Sequence, residues 1–179
     1  SYEGYFSDGR LDGPGSFRSY LGETYVGNWL GGMMHGQGLY VFANGSKYEG
    51  EWVNDKRTGY GIYSYANGSV YEGNFNNGKR NGKGKYKNFN GDIYEGYWVN
   101  NRMEGQGTYF YVNGDTYIGE WLKDMRHGEG VLSFRVGKKY KGSFFQNSIN
   151  GSGTMSFSDG KTFIGNWVDG SMEGEGVYQ

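Results

Sequence analysis

The sequence predicts an all-β protein, an elongated single-sheet antiparallel ribbon built from β-hairpin repeats of 23 residues. Three observations predict it. Tyr48 recurs as Tyr2, Tyr25, Tyr71, Tyr94, Tyr117 and Tyr140, and as Phe163, always 23 residues apart. Each copy carries a glycine two positions on (Gly4 to Gly165), an aromatic four positions on, and paired glycines eleven and thirteen positions on (Gly13 and Gly15 to Gly174 and Gly176). The aromatic column is Phe6, Trp29, Trp52, Phe75, Trp98, Trp121, Phe144 and Trp167, so all five tryptophans share one repeat position.

Each element of a unit follows from its residues. In the unit that begins at Tyr48, the first strand places Tyr48, Gly50 and Trp52 on one face and Glu49 and Glu51 on the other. A turn over Val53–Arg57 follows. Seven positions after the opening aromatic it carries Gly9, Gly32, Asp55, Gly78, Asn101, Asp124, Asn147 or Gly170, the residue types that tolerate a left-handed backbone. The second strand sets Gly59, Gly61, Tyr63 and Tyr65 on one face. Asn-Gly pairs such as Asn67-Gly68 then close a hairpin into the next unit. In the unit from Tyr94 the same roles fall to Gly96, Trp98, Gly105, Gly107 and Tyr109. The strand glycines lie on the ring face, where a missing side chain leaves room for a neighbouring ring. Every glycine but Gly31 falls in a fixed column. Pro14, the only proline, sits inside a second strand, where its missing N–H either points away from a partner or marks an irregular first unit. Sixteen strands at about 4.8 Å would extend roughly 75 Å.

The pattern Y-x-G-x-W-x-x-x-x-x-x-G-x-G resembles the MORN (membrane occupation and recognition nexus) repeat. Units cover residues 2–24, 25–47, 48–70, 71–93, 94–116, 117–139 and 140–162, with a partial eighth over 163–179. The chain is expected to be one array excised from a longer one. The resemblance implies an attachment scaffold and carries over to the Tyr, Gly and Trp columns as fold residues. Exact phasing looks most like the cytoskeletal MORN-repeat proteins of parasitic protists.

Composition narrows the function. Leu, Ile, Val and Phe make up only about 18% of the chain, but a net charge of −1 and 19% aromatics place it among folded proteins that bury rings. A pI near 6.1 gives no global attraction to nucleic acid. Without cysteine there is no disulfide framework and no thiolate metal site. No apolar run reaches the roughly 18 residues of a membrane span.

No catalytic constellation appears. There is no H-E-x-x-H, no G-x-S-x-G and no phosphate-cradling glycine loop. The chain therefore reads as no enzyme and as needing no cofactor. His35 and His127 share a repeat position beside the paired glycines. Either they are solvated strand-start residues, or one of them, with Asp124 or Glu129, holds zinc between two chains. A basic rim after the turns, Lys56, Arg57, Lys79 and Arg80 with Lys83, Lys85 and Lys87, would line one edge for phosphoinositide head groups or an acidic partner. An open strand edge and aromatic residues in the last units, Phe144, Phe157, Phe163, Trp167, Val177 and Tyr178, point to a homodimer. The expected role is a self-associating scaffold that recruits cytoskeletal or cortical proteins. It would sit in the cytoplasm at the cytoskeleton or cell cortex, peripheral to membrane at most. The alternatives are a phosphoinositide-binding module and, by the same resemblance, a regulatory repeat segment of a larger enzyme.

Overall fold

The computed structural model describes residues 1–179. Sixteen antiparallel strands follow one another in chain order in a single open sheet, with no helix. The chain divides into two units, Ser1–Phe89 and Asn90–Gln179. The first holds β1 (Tyr2–Ser7), β2 (Arg10–Arg18), β3 (Thr24–Leu30), β4 (Met33–Val41), β5 (Lys47–Val53), β6 (Lys56–Ser64), β7 (Val70–Asn76) and β8 (Lys79–Lys87). The second holds β9 (Ile93–Val99), β10 (Arg102–Phe110), β11 (Thr116–Leu122), β12 (Met125–Ser133), β13 (Lys139–Phe145), β14 (Ser148–Ser156), β15 (Thr162–Val168) and β16 (Ser171–Tyr178). Each 23-residue period thus supplies one first strand and one second strand, as the sequence predicts.

The turn inside each repeat has two residues, both left-handed. Asn54 and Asp55 have φ of 47° and 65°, the type I′ geometry whose twist matches that of the flanking strands. Lys123 (φ 50°) and Gln146 (φ 47°) are held in the same conformation although their side chains disfavour it. Gly31 (φ 57°), which fits no glycine column, occupies this first turn position. Successive turns dock onto one another. Asp55 N–H donates to the Met34 carbonyl (3.1 Å) and Met34 N–H donates to Asp55 Oδ1 (2.8 Å). Met103 with Asp124, and Arg126 with Asn147, repeat this exchange.

The connections between repeats use a different geometry. Tyr65 N–H donates to the Ser69 carbonyl and Gly68 N–H to the Tyr65 carbonyl, with Gly68 at φ 88°. Asn67 is not left-handed. Its Oδ1 instead accepts Ser69 N–H at 3.0 Å, an Asx-type contact that recurs at Asn44, Asn90, Asn113 and Asp159. These loops are also tied to the next repeat, since Ala66 N–H donates to Ser46 Oγ, Val112 N–H to Asp92 Oδ1 and Arg135 N–H to Asp115 Oδ1.

The three strand glycines of a repeat serve two purposes, where the sequence reading assigned one. Gly50 faces Gly61 across the hairpin, and the Tyr48 ring lies on that pair. A Cβ on Gly61 would stand 2.5 Å from Tyr48 Oη and 2.6 Å from its Cε2. Gly59 has another role. Because Gly50 pairs with Gly61 and Glu51 with Thr58, Gly59 and Tyr60 have no opposite number on β5. They form a bulge, and Gly59 takes the left-handed backbone the bulge needs (φ 55°). Pro14 falls in the equivalent bulge of the first repeat, which has the same register as the others, and bulges are where strands accept proline.

Tyr25, Tyr48, Tyr71, Tyr94, Tyr117 and Tyr140 are all buried, at 0–1% exposure, in a sheet with no second layer. Each lies edge-on to an aromatic of its own strand. Many also meet the aromatic of the next repeat, as Tyr48 meets Trp52 (5.1 Å) and Phe75 (5.0 Å). Tyr117 does so with Trp121 and Phe144, and Tyr140 with Phe144 and Trp167. Each hydroxyl donates to the backbone carbonyl three residues on, at 2.9–3.2 Å. Burial raises all six phenol pKa values, those of Tyr25, Tyr48 and Tyr140 to about 12.

Two predictions follow from this packing. Gly61→Ala forces a methyl into the Tyr48 ring and should lower stability by about 1–3 kcal/mol, read as a shifted urea midpoint. The raised phenol pKa values mean that the folded chain holds protons that the unfolded chain releases. Their stabilising contribution is complete below pH 10 and is lost as the pH rises from 10 through 12. Unfolding followed by tryptophan fluorescence should show a flat midpoint up to about pH 9 and a steep fall across that window.

Candidate functional site

A sheet with no second layer presents two faces, and alternation along the strands decides which residue meets which. On the ring face, the position nine residues after the opening aromatic is Leu11, Met34, Arg57 and Arg80 in the first unit, and its arginines lie over buried tyrosines. The Arg57 guanidinium stands 5.7, 5.0 and 5.6 Å from the rings of Tyr48, Tyr63 and Phe75, and its Nη2 donates to the Gly78 carbonyl at 2.7 Å. Arg80 lies over Tyr71 and Tyr86, and Arg126 over Tyr117 and Phe144. These cations form a lid on the core.

Beside the lid runs a second set of rings. Tyr40, Phe42, Tyr63, Tyr65 and Tyr86 are each half-buried. They form a ladder across β4, β6 and β8 with centroid steps of 4.6 Å (Tyr40–Phe42), 5.6 Å (Phe42–Tyr63), 4.5 Å (Tyr63–Tyr65) and 6.1 Å (Tyr65–Tyr86). Ser19 and Asn88 replace the ring at either end, and the displaced Tyr20 and Phe89 are exposed. Ser19 Oγ instead accepts the N–H groups of Leu21 and Glu23. The sequence reading set Tyr63 and Tyr65 on the glycine face without separating them from the core. The signal for that separation was present: each repeat has three or four rings on that face but one facing glycine pair, and from Tyr25 to Tyr140 only the ring on that pair falls to 0–1% exposure.

The opposite face carries a mixed row. In the first unit Val26, Leu39, Glu49, Ile62, Glu72 and Lys85 succeed one another across paired strands. In the second unit Ile118, Val131, Lys141, Thr154, Ile164 and Val177 do so. Val26, Ile118 and Val177 are more than half exposed. A shallow depression of about 460 Å³ lies on this face, floored by the glycine backbone of β13–β15 and edged by Glu129, Lys141 and Ile164.

The sites expected from the sequence are placed as follows. Tyr48, Trp52, Tyr94 and Trp98 are buried in the core, with Gly50, Gly61, Gly96 and Gly107 beneath the tyrosine rings. Gly59 and Gly105 are left-handed bulge residues, and Tyr63 and Tyr109 are half-buried beside the core. The basic rim does not form one stripe. Lys56, Lys79, Lys83, Lys85 and Lys87 sit at outer-face positions and are exposed, whereas Arg57 and Arg80 lie on the ring face. Strand alternation separates neighbours such as Lys56 and Arg57 onto opposite faces.

Of the expected dimer residues, Phe144, Phe163 and Trp167 are buried in the chain's own core, because they clamp the tyrosine column or stand in it. Val177 and Tyr178 are exposed, and Phe157 stacks on Tyr178 at 5.9 Å. No three His, Asp or Glu side chains gather closely enough to hold a metal ion. Asp124 accepts Met103 N–H in its turn, Glu129 accepts the Ser143 hydroxyl at 2.6 Å, and His127 lies against Phe145. His35 is half-buried, and its Nδ1 is enclosed without a hydrogen-bond partner.

The family model for the MORN repeat matches eight consecutive segments, residues 2–20, 25–47, 48–70, 71–93, 94–116, 117–139, 140–162 and 163–179. The chain belongs to the MORN repeat family. MORN repeats are a repeat module with a scaffold or interaction role. No curated protein sequence matches this one. Among solved structures, the array is similar to the TCP domain of Drosophila melanogaster SAS-4 (dCPAP) in complex with a proline-rich motif of Ana2 (dSTIL). That match has TM-score 0.52 and 15% identity over 86% of this chain and 84% of that one. It is also similar to the TCP10 domain of Danio rerio CPAP in complex with a STIL peptide, at TM-score 0.37 and 13% identity over 93% and 84%. At such identities the first likeness is one of fold. No helix is long and apolar enough to cross a membrane.

The lid arginines and the outer lysines should separate cleanly under mutation. Arg57→Gln removes a guanidinium from three rings and a carbonyl and should cost about 1–2 kcal/mol in urea unfolding. Lys56→Gln, one residue away on the other face, should stay within about 0.5 kcal/mol.

Proposed function

We propose that this MORN array is a non-enzymatic scaffold that self-associates through its last repeats and recruits other proteins along its sheet to a cytoskeletal or cortical structure. The observation that carries this reading is that both faces of the sheet present apolar side chains to solvent in both units. On the outer face these are Leu30, Val53, Val99, Leu122, Phe145 and Val168, from 37% to 52% exposed. Side chains of this kind, repeated from hairpin to hairpin, suit an extended partner better than a compact ligand. The TCP domain that shares the fold is itself bound to a proline-rich motif of another protein, which supports peptide recruitment by such a sheet. For self-association the support lies in β15 and β16, where Ile164, Met172, Val177 and Tyr178 are exposed.

A second reading rests on β8, whose Lys79, Lys83, Lys85 and Lys87 all occupy outer-face positions. Four ammonium groups on one strand suit an anionic lipid surface. A regulatory segment beside an enzyme domain would use the same surfaces.

Light scattering during gel filtration tests the first reading. The expected result is a dimer mass, unchanged by a zinc chelator and lowered to that of a monomer by Val177→Asp. A monomer at all concentrations would overturn self-association through these repeats, and a mass that falls on chelation would revive the histidine metal site. Sedimentation with phosphoinositide liposomes, before and after Lys83→Glu and Lys85→Glu, decides the second reading.

A further inference from the structure

We infer that the ring ladder of the first unit is a docking track for a polyproline II segment bearing an acidic residue at every third position. The inference rests on the scaffold reading above and names the kind of partner that this face would recruit.

Spacing is the first argument. Neighbouring strands lie about 4.8 Å apart, so the ladder repeats every two strands, about 9.6 Å. A polyproline II helix has three residues per turn at about 3.1 Å each, a period of about 9.3 Å. Laid across the strands, such a segment presents the same side of itself to each successive repeat, drifting by only about 0.3 Å per step. A β-strand in that direction has a side-chain period of about 6.7 Å and falls out of register at once. An α-helix returns to the same face after seven residues, about 10.5 Å, and drifts about three times as fast.

The chemistry of the ladder agrees. A polyproline II segment has flat apolar rings on its flanks and carbonyls that make no internal hydrogen bonds, so it is recognised by aromatic-lined grooves. Tyr40, Phe42, Tyr63, Tyr65 and Tyr86 offer ring edges, four of them with hydroxyls. The lid supplies the charge. Arg57 stands 5.0 Å from the Tyr63 ring and Arg80 stands 5.4 Å from the Tyr86 ring, one repeat apart. A guanidinium has five N–H donors, and Arg57 places one on the Gly78 carbonyl. Two arginines one repeat apart call for two carboxylates three residues apart. At the other end the Glu23 carboxylate stands near Tyr40, so acidic side chains are read at Arg57 and Arg80 and not there.

The track also has limits. Ser19 and Asn88 end it, which leaves three repeats, the reach of a seven- to nine-residue peptide. Its rings are already fixed by packing on one another, and the peptide is already extended, so little order has to be created on binding.

Fluorescence anisotropy of a labelled (Pro-Pro-Glu)₃ nonapeptide with the whole chain tests this. Saturable binding is expected. It should weaken at least tenfold for (Gly-Gly-Glu)₃, which lacks the rigid helix, and for (Pro-Pro-Lys)₃, which reverses the charge. Tyr65→Leu and Arg80→Gln should weaken it similarly, while Tyr60→Leu on the other face should leave it unchanged. Should the ladder variants misfold, the three peptides on the unaltered chain still decide the matter. Absence of binding, equal binding of the glycine peptide, or equal damage from Tyr60→Leu overturns the track. A peptide-display selection on the same chain separates this failure from that of the scaffold reading. Enriched sequences without proline would overturn the track alone, and no enrichment of any peptide would overturn both.

Discussion

The structure depends on one contact, a tyrosine ring laid flat on two facing glycines. In a sheet with no second layer, a large side chain has nothing above it and burial must come from its neighbours. The glycine pair lowers the floor by the height of a Cβ on each strand, so the ring sinks to the backbone. Ring edges from its own strand and from the next repeat then close its sides, and over Tyr48, Tyr71 and Tyr117 an arginine closes the top. The hydroxyl reaches a carbonyl three residues on, so the buried polar atom is satisfied. Remove the glycines and the ring rises; remove the ring and the edge of the next aromatic has no partner.

That contact couples neighbouring repeats, and hydrogen bonds along both margins reinforce the coupling. The turns at Asp55, Asp124 and Asn147 exchange hydrogen bonds with the turn before them, and Ser46, Asp92 and Asp115 each take an N–H from the following loop. Stability in such an array is close to a sum of repeat and nearest-neighbour terms. A repeat can therefore change its exposed residues freely, provided the Tyr, Gly and Trp columns stay in place. The ladder of the first unit and the lysine-rich β8 are such local choices, set on a frame that tolerates them.

Buried and half-buried rings share the same face of the sheet, and this is where the sequence misleads. Tyr63 and Tyr48 are identical residues directly opposite one another, yet one is fully buried and the other half-buried. The difference is that Tyr48 lies on Gly50 and Gly61, whereas the glycine count per repeat leaves none for Tyr63. The basic rim failed as one stripe for a comparable reason. Lys56 and Arg57 are adjacent in the chain, and the pleat sends them to opposite faces. Phe144, Phe163 and Trp167 look available as hydrophobic anchors in a list of residues and are spent on the tyrosine column.

The sequence by itself determined the all-β class, the hairpin order and the family, because a strict period of 23 residues leaves one alternation per unit; the turn expected over Val53–Arg57 narrows to Asn54 and Asp55, with Val53, Lys56 and Arg57 in the strands. It also marked the second turn position as left-handed, but not the first, which Lys123 and Gln146 occupy under strain, nor the bulge glycines such as Gly59. The tertiary structure decided which rings are core and which are surface, and which glycines make room and which shape a bulge. Those outcomes depend on cross-strand register, and the two extra residues at Gly59 and Tyr60 set that register in space without disturbing the period in the chain.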